Sequence, residues 1–260
     1  MNKGKMTIGI VTFKERLELL KEMVNQIMSL DGIDDTDIII AVNGNNEEDM
    51  PNDYRREILS IANNYDNIYP IICPEFKSLA KLWNTITIFS KTNYNLILTD
   101  DLFVGNISLL KILSDHISST KSEFFTINNQ FSHFVVTKTI LHELGYFDER
   151  FIAFGEEDGD IVHRHIERFG ERMPDLHIPN FYNMARYDLS SSKVETHIDN
   201  KPRFNREFAN IKYKQDPNGI YGMSPTPIAK AIDDYQQYPY EEFVNKNKHN
   251  IKHFQNVIMV

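Results

Sequence analysis

The sequence predicts an α/β fold with a mostly parallel central sheet. Over residues 6–101, short apolar runs that read as strands alternate with segments of helical period, which is the pattern of strand–helix–strand units. The runs end in polar residues: Thr12, Asn43, and Asp100 with Asp101. In open sheets of this class ligands bind beyond the carboxyl ends of the strands. These residues are therefore expected on one rim.

MTIGIVTF, residues 6–13, is the first strand. Residues 15–30 follow with Leu20, Met23, Val24, Ile27 and Met28 on one face, the spacing of an amphipathic helix. TDIIIAVNGN, 36–45, reads as a buried strand closed by an Asn-Gly turn signal. A charged helix is expected over 53–64 and a third strand in IYPIICP, 68–74. Leu79, Leu82 and Trp83 mark the apolar face of a helix over 77–90, and NLILTDD, 95–101, is the fourth strand. A helix over 107–118 comes next, then strand pieces in EFFTIN (123–128) and SHFVVTKTI (132–140), and a helix ending near 169. Beyond Ser190 the chain is polar and aromatic, with Pro202, Pro217, Pro225 and Pro227 interrupting it. Its tyrosines argue against a disordered tail. The expected organisation is a domain in residues 1–190 and an extension in 191–260 that packs on it or on a partner.

The chain has 260 residues, 41% hydrophobic and 25% charged, enough for one large core without disulfide staples. Its single cysteine, Cys73, excludes an intramolecular disulfide framework. The formal net charge of −9 argues against nucleic acid as a partner. No run approaches the ~18 apolar residues of a membrane span, so a cytoplasmic protein is expected, with peripheral contact at the inner membrane face left open.

Two acidic groups carry the chemical argument. Asp100 and Asp101 close the fourth strand, where paired carboxylates suit a hard divalent cation such as Mg²⁺ or Mn²⁺. The bland reading is that they cap a turn or face solvent. No GxxxxGK[ST] loop and no GxGxxG after the first strand supplies another phosphate device. The second group lies in FDERFIAFGEEDGD, 147–160, with Glu156, Glu157, Asp158 and Asp160 crowded together. Acids in a first helical turn interact well with the dipole, by roughly 0.3–1 kcal/mol each, and Asp160 is spaced to pair with Arg164. That explains one or two of the four. Held at the edge of an apolar-aromatic run, Glu157 or Asp158 would have a raised pKa, which suits a general base near neutral pH.

Taken in order, IGIVTF, NGN, SLAKLWN, LILTDD and GYFDERFIAFGEEDGDIVHR resemble the GT-A glycosyltransferases, particularly inverting family 2. The resemblance covers roughly residues 6–190. It implies a nucleotide-binding α/β domain that moves a sugar from a nucleoside diphosphate sugar, with a UDP-sugar as the expected donor, to a hydroxyl of a glycan or lipid-linked glycan. It implies that Asp101 ligates Mn²⁺ or Mg²⁺ and that Asp158, with Glu157, supplies the base. Thr12, Phe13, Glu15, Asn43, Lys81, Asn84 and Asp100 are the implied donor-nucleotide residues, and His133 lies where acceptor-side residues occur. The Asn-, Lys- and Ile-rich composition suits an AT-rich bacterial genome and a role in surface polysaccharide synthesis.

The chain departs from the family at two places. Ala41-Val42-Asn43 stands where many relatives carry an acid that meets the base, and IPNFYNMARYDLSSS lacks the expected metal-ligating His. Asn183, His177 and His197 are the candidates for that position. Two rival functions follow. One is a degenerate scaffold or binding protein on the same fold. The other is a sugar-nucleotide nucleotidyltransferase, which the glycine-free Phe13-Lys14-Glu15-Arg16 disfavours.

Overall fold

The computed structural model describes residues 6–13, 16–44, 51–74, 77–151 and 154–184, and further on 205, 206, 208, 209, 212 and 213. They form two compact units. The first draws on Met1–Phe76, Ser90–Lys138 and Pro174–Ser192, and the second on Lys77–Phe89, Thr139–Met173 and Lys193–Val260.

The strands are β1 (Met6–Phe13), β2 (Ile38–Asn43), β3 (Ile68–Ile72), β4 (Tyr94–Thr99), β5 (Leu102–Val104), β6 (Phe124–Ile127), β7 (Gln130–Thr137), β8 (Asp175–Leu176) and β9 (Phe181–Asn183). The helices are α1 (Leu17–Met28), α2 (Asn52–Asn63), α3 (Leu79–Phe89), α4 (Leu109–Thr120), α5 (Lys138–Leu144) and α6 (Glu157–Phe169).

All the strands belong to the first unit. Seven of them form one sheet in the order β3-β2-β1-β4-β7-β6-β8, and β5 pairs with β9 apart from it. β1 runs parallel to β2 and to β4, and β2 parallel to β3, whereas β7 is antiparallel to β4 and β6. The chain thus winds outward from β1 in one direction and then returns to place β4 on its other side. That reversal lies at β1 and β4, and ligands of open α/β sheets bind beyond the carboxyl ends of the strands at such a switch point. The register sets Val11 opposite Thr99 and Phe13 opposite Asn43, so the carboxyl ends of β1, β2 and β4 share one edge.

The expected patterns form for the expected reasons. α1 buries Leu20, Met23, Val24 and Ile27 as a single stripe, with Met28 partly buried beside it. β3 carries Pro70, which lacks an N–H, and lies at the edge of the sheet, where a missing donor is tolerated. β6 and β7 are joined by Asn128 and Asn129, at φ 52° and 55°. Two left-handed residues make the tight turn that matches strand twist, and asparagine adopts that conformation more readily than most. Gly44, expected as a turn glycine, has a different reason to be glycine. A Cβ there would lie 2.1 Å from the Pro74 carbonyl oxygen, so the segments after β2 and β3 meet backbone to backbone.

One boundary differs from expectation. The strand read over 132–140 ends at Thr137, and Lys138 opens α5. The β-branched Thr137, Thr139 and Ile140 extend the strand pattern, yet Ile140, Leu141 and Leu144 are buried at helical spacing.

The second unit contains α3, α5, α6 and helical residues from the 205–213 stretch. Trp83 is buried, its ring centroid 4.9 Å from that of Phe147. Phe151 meets Phe208 edge-on at 5.1 Å, and His163 meets Tyr213 at 4.4 Å. No helix among the described residues is long and apolar enough to cross a membrane.

Candidate active site

At the carboxyl edge of the sheet, Asp100 and Asp101 are both buried directly after β4. Asp101 Oδ1 accepts from Thr99 Oγ1 at 2.7 Å and from Asn183 Nδ2 at 3.2 Å. Arg16 bridges the pair: its Nε lies 3.1 Å from Asp100 Oδ1 and its Nη2 forms an ion pair with Asp101 Oδ2. The guanidinium also rests 5.5 Å from the centroid of the Phe13 ring. Burial pushes Asp100 up to about 7, against the pull of Arg16 and the Thr12 hydroxyl.

Sequence reasoning passed over Arg16 as a site residue. Its signal was positional: β1 and β4 are parallel neighbours, so a residue just past the end of β1 stands beside one just past the end of β4. Thr12 and Asn43 are buried at the same edge, while Glu15 lies outside the described residues. Of the candidates for the missing His, Asn183 is brought to Asp101 and His177 is exposed on the segment between β8 and β9. His197 lies outside the described residues. His133 is buried in β7, with Nδ1 2.9 Å from Ser132 Oγ and its ring against Phe181.

In the second unit the acidic cluster separates into distinct roles. α6 begins after Gly155, at φ +100°, and Glu156, at φ +71°. A non-glycine residue held there costs about 1–3 kcal/mol and persists only where its surroundings impose it. The Asn205 amide donates to the carbonyls of Phe154 (3.1 Å) and Gly155 (2.8 Å), and Arg206 Nε lies 3.3 Å from Glu156 Oε1.

Asp160 is fully buried and serves as an anchor. Arg164 approaches its Oδ2 with Nε at 2.9 Å and Nη2 at 2.6 Å, the expected i,i+4 pair. Lys212 Nζ and the Tyr213 hydroxyl both reach its Oδ1. Lys212 Nζ also binds Asp148 Oδ2 at 2.7 Å, and Arg150 Nη2 reaches that oxygen at 2.6 Å. These cations hold Asp148 and Asp160 below the usual carboxylate range, although burial opposes them. Asn84 is buried and brackets the backbone of Phe147, donating to its carbonyl at 2.8 Å and accepting from its N–H at 3.1 Å. Lys81 Nζ lies 2.9 Å from Glu149 Oε2. Asn84 and Lys81, two of the seven residues expected at the nucleotide, thus engage the Phe147–Glu149 turn.

Glu157 and Asp158 remain. Glu157 is buried, and its Oε2 has no hydrogen-bond partner among the described residues. Burial, helped by the charge of Asp158, pushes Glu157 up to about 8. Asp158 stays partly exposed and is raised by desolvation, with the Gly159 N–H (2.8 Å) and Arg172 pulling the other way. A proton held on Glu157 near neutral pH removes the repulsion that would otherwise disfavour a charged Asp158.

These shifts give stability a pH optimum. Asp148 and Asp160 are depressed from 3.8, so their contribution is present above that value and lost as pH falls through their folded-state values. Glu157 is raised from 4.5 to about 8, so its contribution is complete below 4.5 and is lost as pH rises toward 8. Urea midpoints measured across pH are expected to fall on both sides of a maximum near pH 4–5, and Glu157→Gln is expected to flatten the alkaline limb. An alkaline limb unchanged in that variant would refute the assignment.

Comparison with solved structures defines the architecture. Mannosyltransferase PcManGT from Pyrobaculum calidifontis, solved with GDP-Man and Mn²⁺, aligns with a TM-score of 0.54 at 13% identity, over 68% of this chain and 55% of that one. Residues 1–349 of TarS from S. aureus, solved with UDP, align with a TM-score of 0.55 at 14% identity, over 82% and 72% of the two chains. This chain has a GT-A-type glycosyltransferase fold. It spans little more than half of the mannosyltransferase's length. No protein-family model and no curated relative matches it by sequence.

A divalent cation is the cofactor this glycosyltransferase fold implies. Asp100, Asp101 and Asn183 offer only hard oxygen donors, and Asn183 Oδ1 is buried without a partner among the described residues, which fits Mg²⁺ or Mn²⁺. Among those residues no three His, Cys, Asp or Glu side chains gather around one point. Arg16 already balances the carboxylates, so a metal ligated by Asp101 Oδ2 would have to displace it.

Proposed function

We propose that the protein is an inverting glycosyltransferase that moves a sugar from a nucleoside diphosphate sugar, a UDP-sugar by preference, to an acceptor hydroxyl. The observation that carries this reading is the buried Asp100–Asp101 pair at the β1/β4 reversal of a GT-A-type fold. Solved proteins of that fold bind UDP or GDP-Man.

The first unit would take the donor. Thr12, Phe13 and Asn43 at the sheet edge would meet the nucleoside, and Asp101, with Asp100 and Asn183, would hold a divalent cation. When bound, that cation would absorb charge developing on the departing diphosphate. Asp158 takes the proton of the acceptor hydroxyl as its oxygen bonds to the anomeric carbon, and the bond from that carbon to the diphosphate breaks with its electron pair. A single displacement inverts the anomeric centre. The acceptor class that suits this chemistry is a glycan, free or lipid-linked, as in bacterial surface polysaccharide synthesis at the cytoplasmic face. We assign residues 1–190 to the transferase domain and 191–260 to an extension packing on it, which the contacts of Asn205, Lys212 and Tyr213 with α6 and the residues preceding it support.

Thermal unfolding with UDP, GDP, CDP and dTDP, each with Mn²⁺ or with chelator, tests this reading. A nucleotide at 100 times its Kd adds about 2.7 kcal/mol, expected as a rise of roughly 5–10 °C in a domain of this size. The expected shift comes with UDP and is lost in Asp101→Ala. Persistence of the shift in chelator, and its loss in Arg16→Ala, would show that Arg16 rather than a metal balances the diphosphate. No shift with any nucleotide at several millimolar would favour the scaffold reading, and pyrophosphate release from a nucleoside triphosphate and a sugar phosphate would favour the nucleotidyltransferase.

A further inference from the structure

The residues described between 205 and 213 show one helical stripe: Asn205, Ala209, Lys212 and Tyr213 are buried and Arg206 is exposed. That stripe grips the start of α6 on both sides of Asp158. Upstream, Asn205 donates to two successive carbonyls, Phe154 and Gly155, immediately before the left-handed Glu156, and Arg206 pairs with the Glu156 carboxylate. Downstream, Lys212 and Tyr213 converge on Asp160, two residues beyond Asp158.

The left-handed pair Gly155–Glu156 determines where the first turn of α6 begins, and hence where Asp158 projects. Glu156, at the N-cap position, makes no side-chain capping bond, and within the turn Asp158 Oδ1 accepts from the Gly159 N–H. Two backbone carbonyls turned outward by such a geometry need donors, and Asn205 supplies both from one amide. A carboxamide with two N–H groups is suited to clamp adjacent carbonyls.

We propose that Asn205 is a positioning residue for Asp158: it locks the Phe154–Glu156 turn so that the Asp158 carboxylate is held in one place and orientation. The inference takes Asp158 as the working acid of the proposed transfer. It gives a stretch with no counterpart in the resemblance a part in catalysis without contact with substrate. Displacing a reacting group by about 1 Å can cost on the order of 10²-fold in rate, so loss of the clamp acts on turnover and leaves donor affinity alone.

The test uses the full chain with Asn205→Ala and with Asn205→Asp, which keeps the shape and removes the donor. Carboxyl-carbon NMR follows the titration of Glu157 and Asp158 and needs no substrate. UDP release from a panel of UDP-sugars in the presence of acceptor glycans gives kcat and KM. Both variants are expected to move the Glu157–Asp158 titration by at least half a pH unit. Both are also expected to lower kcat at least tenfold with donor KM within twofold, while the UDP-induced thermal shift is retained. Asn205→Gln, which restores a donating amide, is expected to recover part of the rate. An unmoved titration in either folded variant, or a loss confined to KM, would overturn the proposal. A wild-type protein that turns over no donor, yet whose acid titration moves in both variants, would overturn the transferase reading and retain the clamp.

Discussion

Asp158→Asn is expected to lower turnover by roughly 10²–10⁴-fold, the usual scale for a general base, with the nucleotide-induced thermal shift unchanged. The expectation follows from how the four acids divide. Glu156 is committed to the turn through Arg206, and Asp160 is enclosed by Arg164, Lys212 and Tyr213. Burial and the neighbouring charge keep a proton on Glu157 up to about pH 8. Asp158 alone combines partial exposure with a carboxyl that burial raises above its ordinary value. Asparagine keeps the shape and cannot accept the proton, so steady-state kinetics on the full chain isolates that role. Turnover within tenfold of wild type would remove Asp158 as the base.

Lys212→Met is expected to be strongly destabilising. Its ammonium is buried between Asp148 and Asp160, 2.7 Å from the former. Removing one partner of a buried ionic cluster leaves uncompensated charge, typically at a cost of about 3–5 kcal/mol. In a chain of this length that is a fall in Tm of roughly 6–20 °C. Arg168→Ala removes an exposed pair with Glu143, 2.6 Å apart, and is expected to cost at most about 1 kcal/mol. Equal effects of the two changes in urea unfolding would show that Arg150 and Arg164 suffice to neutralise the aspartates.

Period and polarity made much of this readable in advance. The stripe of α1, the apolar β1 and β2, and the acids at the end of β4 are local patterns, and local patterns survive in a one-dimensional string. β5 and β9, of three residues each, carry no period to detect. The role of Asp160 was half legible: Arg164 is one helical turn away, but Lys212 is 52 residues along the chain. Arg16 was hidden for the same reason, since its partners come from β4. The left-handed Glu156 was invisible because glutamate signals no such conformation, and the hydrogen bonds that impose it begin at residue 205.

The distance between Asp148 and Lys212 also sets an order of assembly. The parallel strands β3, β2, β1 and β4 are complete by Thr99, so a nascent chain has all four available for pairing early. Asp148, in contrast, must wait 64 residues for its buried cation. At about 5–20 residues per second of synthesis, that is a delay of roughly 3–13 s. Until then the Asp148 carboxylate has Arg150 beside it, a half-buried partner 2.6 Å away, so its complete burial is expected to await Lys212. Closure of the second unit around Asp148 and Asp160 is therefore expected late in synthesis, after Lys212 has emerged.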